Sequence, residues 1–492
     1  MLPADMTTQS KRWMFRLVLA VLAPVLFVVV TEAGLRAAGL RSDPLLRVKQ
    51  DGQEWITSNP RYGQSIFPRE ASPNLPALWI PAEKAPGEIR LVVLGESAAE
   101  GFPLSHVSLA RVMESVMRHR YPTSSVRVIS LAMAGINSHQ LRQLNHAAAD
   151  HLAPDILVLY AGNNEVVGPF GPAAVMARFE TSPGIIRFRQ WIRGLALARV
   201  VDEVTRRRQA GAAGRKTWGG LDEFRGVYIA ADDPRLAAMY RLTEANVNAI
   251  VADAADRGIK VLVATMGVNL NDWPPMASTP ETEPAVYEVT QAPPPDELHS
   301  ALVAYRWGES LRAYAQLAES WAFYRRAADL DLVRFRADTG IQDILRNAGR
   351  AGPAEQVRLV DIDRLMHEGD PDGGDDRAWF YEHVHLNVPG RLRVANMLVD
   401  ALDQAGWLGE SPARGPVAED ELTEALVLTP MDELQALTVI REFYRWPHFT
   451  NQLYSAERVA RLESAMQRAR EQRSEWGRER LRAAWEASRN RW

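Results

Sequence analysis

Five short apolar runs recur along the chain, with helical spacing between them, and this alternation constrains the fold more than any other feature. IRLVVLG (89–95), VRVISLA (126–132), DILVLYAG (155–162), KVLVATM (260–266) and VRLVDI (357–362) read as buried strands. Residues 105–120 place Leu109, Val112, Met113, Val116 and Met117 at helical intervals; 140–152, 234–257 and about 389–405 also read as helices. Apolar strands alternating with helices predict an α/β fold built on a flavodoxin-like, doubly wound parallel sheet. With 492 residues, 47% of them hydrophobic and 24% charged, the chain can bury such a core and carry two or three domains.

The flanking regions have a different texture. Within residues 1–40, Lys11, Arg12 and Arg16 precede LVLAVLAPVLFVVV (17–30), an uncharged run that reads as a membrane anchor or signal; neighbouring residues can extend it toward the roughly 20 a bilayer requires. A clean small-x-small cleavage site is missing just after it, which favours an uncleaved single-pass anchor. Arg36, Arg41, Arg47 and Lys49 offset the basic residues on the near side, so charge does not set the orientation; the expectation is a body outside the cytoplasm. Residues 41–88, with SNPRYG, REASPNLP and PAEKAPG, read as a linker. The body then spans 89–405, with helical insertions near 166–232 and 298–350. The first insertion contains the basic stretch 206–216, read as a solvated surface. Residues 406–492 form a helical C-terminal extension, ending in an Arg/Glu-rich segment with Trp476, Trp485 and Trp492.

Composition removes several classes of function. A net charge of -4 supplies no field for DNA or RNA, and zinc-finger, RRM and phosphate-loop signatures are missing, so nucleic acid is not an expected partner. There is no cysteine, which excludes disulfides, thiolate metal sites and a cysteine nucleophile.

In an open α/β sheet the site forms outside the carboxyl ends of the strands. The first strand ends in Gly95-Glu96-Ser97, the second runs into Ala134-Gly135-Ile136-Asn137, the third ends in Gly162-Asn163-Asn164-Glu165, and the fifth precedes Glu382-His383-Val384-His385. Taken singly, Ser97 reads as well as a helix cap, the glycines as turns and the histidines as surface residues. As an ordered set at strand ends, they offer what acyl transfer needs: a hydroxyl, a base, a carboxylate to orient the base, and donors for an oxyanion. Asn269 and Asp272, after the fourth strand, read as a structured loop beside that cleft.

This ordered set resembles the SGNH or GDSL-like hydrolases over about residues 89–405. GES matches the first block of that family, Gly135 the second-block glycine, GNNE the Gly-x-Asn-Asp block and EHVH the Asp-x-x-His block. The resemblance implies Ser97 as nucleophile, His385 as base and Glu382 as its orienting carboxylate, with Ser97, Gly135 and Asn164 as the oxyanion hole. Three positions depart from the family pattern by Asp becoming Glu: Glu96, Glu165 and Glu382. His383 is the rival base, and block matching favours His385. The chain is also similar to a membrane-anchored subgroup with tetratricopeptide-like helices, through GNNE, VHLN and residues 324–338, although it shows no repeated 34-residue unit.

The implied activity is an esterase that acts on a carbohydrate or cell-envelope acyl ester through an acyl-enzyme, with neither metal nor organic cofactor. An O-acyltransferase would use the same triad. The alternative of another class is a non-catalytic, membrane-tethered scaffold whose C-terminal helices bind a protein partner.

Overall fold

The computed structural model describes residues 8–175, 178–209, 220–279, 298–368, 375–409, 412–475 and 485–486. A long helix, α1 (Thr8–Ala37), leads into a small antiparallel sheet of β1 (Leu45–Gln50), β2 (Gln53–Ser58) and β3 (Trp79–Pro81). The main body follows as β4 (Ile89–Gly95), α2 (Ser97–Glu100), α3 (Leu109–Arg120), β5 (Val126–Ser130), α4 (Ser138–His151) and β6 (Ile156–Tyr160). Next come α5 (Pro183–Arg193), α6 (Ala196–Gln209), α7 (Pro234–Asp256) and β7 (Lys260–Ala264). Three helices, α8 (Ala301–Ala313), α9 (Leu317–Leu330) and α10 (Thr339–Arg350), precede β8 (Val357–Val360), α11 (Ile362–Glu368) and α12 (Val388–Gln404). The C-terminal part contains α13 (Glu419–Leu426), α14 (Pro430–Phe443), α15 (Pro447–Thr450) and α16 (Ser455–Glu475).

The five strands read from the sequence form one parallel sheet in the order β5-β4-β6-β7-β8. Numbered from the first strand of this sheet, the order is 2-1-3-4-5, the flavodoxin-like arrangement, and its switch point lies between β4 and β6. Leu91 to Leu94 and all of β6 are buried because helices cover both faces, which explains the unbroken apolar runs. A side chain at Gly95 would meet the Tyr160 carbonyl at 2.6 Å and Ala99 at 2.4 Å, so the end of β4 can lie this close to β6 only with glycine there.

Two expectations are corrected. Residues 41–88 are not an extended linker, since they contain the antiparallel sheet β1-β2-β3. Asp51 and Gly52 both take positive φ and join β1 to β2 as a two-residue hairpin, while Trp55 and Trp79 stack across the sheet with centroids 5.6 Å apart. The segment 298–350 is a helical insertion only in part. α8 and α9 pair with each other, while α10 packs on β7 and β8 as the crossover helix that a parallel connection requires.

The C-terminal helices are part of the body's packing. Ile440, Tyr444 and Phe449 share an apolar cluster with Phe224, Trp273, Met276, Val333 and Phe335. Arg461 donates to Asp272 at 2.8 Å, and Tyr381 donates to Glu433 at 2.9 Å. The basic stretch 206–216 lies largely outside the described residues, as do Trp476 and Trp492; of Trp485 the structure shows an exposed side chain.

Candidate active site

Ser97 is the first residue of α2, immediately after β4 and at the switch point of the sheet. Its hydroxyl is not spent on capping. Instead Ser97 Oγ lies 2.8 Å from Nε2 of His385. On the other side of that ring, Nδ1 meets Oε1 of Glu382, which also accepts the His385 backbone N–H at 2.8 Å. Serine, imidazole and carboxylate are thus joined in series, and the longer glutamate reaches the ring because the chain folds back tightly between them. A bridge pairs Phe380 with Leu386, and the Tyr381 N–H donates to the His385 carbonyl at 2.9 Å.

Asn269 holds this turn from outside. Its side-chain amide donates to the Glu382 carbonyl at 3.0 Å, and its backbone N–H donates to the His383 carbonyl at 2.9 Å. The residue is thus a loop clamp, as its sequence position suggested. Leu270 and Asn271 donate in turn to the buried Asp376 carboxylate, which fixes the segment after β7.

His383 is not placed to serve as base to Ser97. Its backbone N–H and ring Nδ1 both face Oε2 of Glu382, so the carboxylate divides its two oxygens between the two histidines. The His383 ring packs among Trp273, Phe335 and Phe449, with centroids 5.7 to 5.8 Å away. Burial in this aromatic cage pushes the His383 pKa well down.

Burial also lowers the pKa of His385, assisted by the Arg391 guanidinium. A neutral Nε2 is the form able to take a proton from a hydroxyl. Arg391, itself fully buried, donates to the carbonyls of Phe102, Leu104 and Val107 and so secures the loop that carries Phe102 over the histidine. The Phe102 ring lies 4.6 Å from that of His385 and stacks on Phe443 at 5.6 Å.

The oxyanion candidates line the same cavity. Gly135, Asn164 and Ser97 all face a pocket of about 250 Å³. Gly135 takes φ +74°, a left-handed conformation suited to glycine, in a turn that lines the same pocket as Ser97. Asn164 donates one amide hydrogen to the Ile136 carbonyl at 3.0 Å, which fixes the amide and leaves a second hydrogen for a ligand.

Buried carboxylates brace this arrangement from behind. Glu96 accepts the backbone N–H groups of Asn163 at 2.9 Å and Asn164 at 3.4 Å, tying the nucleophile strand to the Asn164 turn. Glu165 accepts the Ser138 N–H at 2.7 Å, the Ser138 hydroxyl at 2.9 Å and the Thr243 hydroxyl at 2.9 Å, joining that turn to the start of α4 and to α7. Burial raises both carboxyl pKa values, and for Glu96 the neighbouring Glu165 adds to the rise.

Several functional neighbours carry no signal in the sequence. Phe67, Phe102, Val175, Phe224, Phe335 and Phe443 make the pocket walls strongly apolar, and they come from distant segments, including the supposed linker and the C-terminal helices. Glu100, one turn after Ser97, accepts the Ala134 N–H and is pushed up to about 6 by burial, with the nearby His385 opposing the rise. Its Oε2 is buried without a partner among the described residues. There is also no cluster of His, Asp and Glu among the described residues that could hold a metal ion.

No family model matches the chain, and no curated protein matches it. Solved structures do. A GDSL-like lipase from Bacteroides thetaiotaomicron is 12% identical, with 66% of this chain and 92% of that one covered and a TM-score of 0.31. A lipase/acylhydrolase from Enterococcus faecalis is 11% identical, covering 67% and 99%, with a TM-score of 0.32. An acetylxylan esterase from Geobacillus stearothermophilus is 12% identical, covering 64% and 94%, with a TM-score of 0.30.

Proposed function

We propose that the protein is a serine-dependent acyl ester hydrolase that works through an acyl-enzyme. The observation that carries this reading is the unbroken contact from Ser97 Oγ to His385 Nε2 and from His385 Nδ1 to Glu382, at the mouth of an apolar pocket. Ser97 Oγ attacks the ester carbonyl carbon and its proton passes to His385 Nε2. The oxyanion that forms is held by the Gly135 and Ser97 backbone N–H groups and the Asn164 amide. His385 then returns the proton to the departing alkoxide, leaving the acyl group on Ser97. Water, deprotonated by the same imidazole, releases the acid. Glu382 stabilises the imidazolium and keeps its tautomer.

The phenylalanine walls suit the acyl part of the substrate better than a polar alcohol part. The alcohol part, in this reading, is a carbohydrate or other cell-envelope component presented near a membrane. Support for that location comes from α1, whose segment Phe15–Ala37 covers 23 residues and contains an 18-residue stretch of mean hydropathy 2.4 that is only 6% buried. At 1.5 Å per residue it reaches about 35 Å, enough to cross a hydrocarbon core of about 30 Å. The chain is taken as a single-pass protein and, as a further part of the proposal, its body is set outside the cytoplasm. Hydrolysis of aryl esters by the full-length protein and by Ser97→Ala tests the function. Ser97→Ala should fold and lose turnover by several powers of ten; undiminished turnover would exclude the mechanism.

A further inference from the structure

The helix α5 has two faces of opposite purpose. Ile186 is buried against Phe170 and Leu242, Gln190 donates to the His139 carbonyl at 3.1 Å, and Arg193 donates to the Ile66 carbonyl at 2.8 Å, so this side seats the helix on the body. The other side turns apolar groups outward. Ile185, Phe188 and Ile192 recur at i, i+3 and i+7 with 45%, 57% and 39% exposure, and Trp191 beside them is 60% exposed. Phe188 and Trp191 stack at 5.9 Å, and Arg187 and Arg189 flank the apolar strip.

What covers this strip follows from where it is tied. Glu32 of α1 accepts the N–H groups of Ala196 and Leu197, both at 3.0 Å, and so caps the first turn of α6, three residues after α5 ends. Glu32 is also the first charged residue after Arg16. It lies within the last two turns of the segment Phe15–Ala37, toward the interfacial end of the anchor. The α5–α6 corner is therefore fixed at that level. Arg36 of α1 and Trp191 of α5 line one cavity of about 240 Å³, which places the exposed tryptophan beside the exit of the anchor.

We propose that α5 is an interfacial membrane helix, with Ile185, Phe188, Trp191 and Ile192 seated in the boundary between headgroups and acyl chains and the flanking arginines among the headgroups. This rests on reading α1 as a membrane anchor. An amphipathic helix of this kind sinks its apolar face roughly 5 to 10 Å into the boundary, and arginines beside it favour anionic lipid. Pro169 borders both the cavity beside Trp191 and the Ser97 pocket, so the docked face adjoins the active site.

The absence of cysteine makes the test clean. Leu22→Cys, Phe188→Cys and Tyr314→Cys, in the full chain, are each labelled with an environment-sensitive fluorophore and reconstituted into phosphatidylcholine–phosphatidylglycerol vesicles that carry doxyl quenchers at shallow or deep acyl positions. The expected pattern is strongest quenching by deep doxyl at Leu22, by shallow doxyl at Phe188, and none at Tyr314, an exposed residue at the end of α8. A quenched Leu22 probe with a Phe188 probe that behaves like the Tyr314 probe would overturn the proposal and leave the anchor standing. A Phe188 probe shielded from water but not quenched by lipid would mean that protein covers the strip, and would overturn it as well. An unquenched Leu22 probe would remove the anchor reading and this proposal together.

Discussion

Glu96, the residue before Ser97, accepts the backbone N–H of Asn163 at 2.9 Å, and so locks the end of β4 to the turn that presents the Asn164 amide. Ser97 and Asn164 follow adjacent strands at the switch point, and this buried carboxyl ties the two together. Its two oxygens accept different N–H groups, so an amide, with a single acceptor oxygen, can keep only one of the two bonds. Glu96→Gln is expected to fall between the parent and Glu96→Ala in both stability and activity. Glu96→Ala strands buried N–H groups, costing about 1 to 3 kcal/mol of stability and much of kcat. Thermal melts paired with kcat on an aryl ester check both, and equal behaviour of the two variants would contradict the bracing role.

Asn164→Ala removes an oxyanion donor while leaving the triad in place. The expected loss is about a hundredfold to a thousandfold in kcat, with KM little changed, because the bond strengthens only as the oxyanion forms. Steady-state kinetics on a soluble ester read this directly. A rise in KM alone would assign Asn164 to substrate binding instead.

His385 and His383 should separate by the kind of damage they suffer. His385→Ala is expected to approach the defect of Ser97→Ala. His383→Ala should retain measurable turnover but lose about 1 to 3 kcal/mol of stability, since it removes the ring from Glu382 Oε2, leaving that oxygen the backbone N–H alone, and empties an aromatic cage. Denaturant titration beside turnover distinguishes the two; the reverse ranking in activity would move the base to His383.

Glu100 supplies a pH test. Its folded pKa is raised from 4.5 to about 6 by burial, so the folded state holds the proton more tightly than the unfolded chain does. The stability this gives is fully present below pH 4.5 and is lost as pH rises through 6, to the extent of about 2 kcal/mol. Glu100→Gln lacks that dependence. Its stability relative to the parent should therefore increase between pH 4.5 and 7, as followed by denaturant midpoints, and a constant difference across that range would contradict the assignment.

The sheet and the grouping of Ser97, His385 and Glu382 were legible in the sequence for the same physical reason. Strands buried on both faces must be apolar throughout, and the polar residues allowed at their carboxyl ends, Ser97, Gly135 and Asn164, stand out against them. Glu382 and His385 are close in sequence, so a local pattern carries their pairing. The phenylalanines around Ser97 are not local. Phe67 and Phe443 look like ordinary apolar residues, and only the packing of the small sheet and of α14 brings them to the pocket. The β1–β2 hairpin was within reach, through Asp51-Gly52 between two strand-like runs, but the prolines around it gave the region the texture of a linker. Glu100 could not be told from a surface acid without the fold, because the groups it meets, the Ala134 N–H and His385, are distant in sequence.

The central claim, that Ser97 is an activated nucleophile, is tested most directly by intact-protein mass measurement after exposure to a fluorophosphonate. The account predicts a single covalent adduct that peptide mapping places on Ser97, strong loss of labelling in His385→Ala, and no adduct in folded Ser97→Ala. An adduct of equal extent in Ser97→Ala, or no adduct on the folded parent protein, would contradict it.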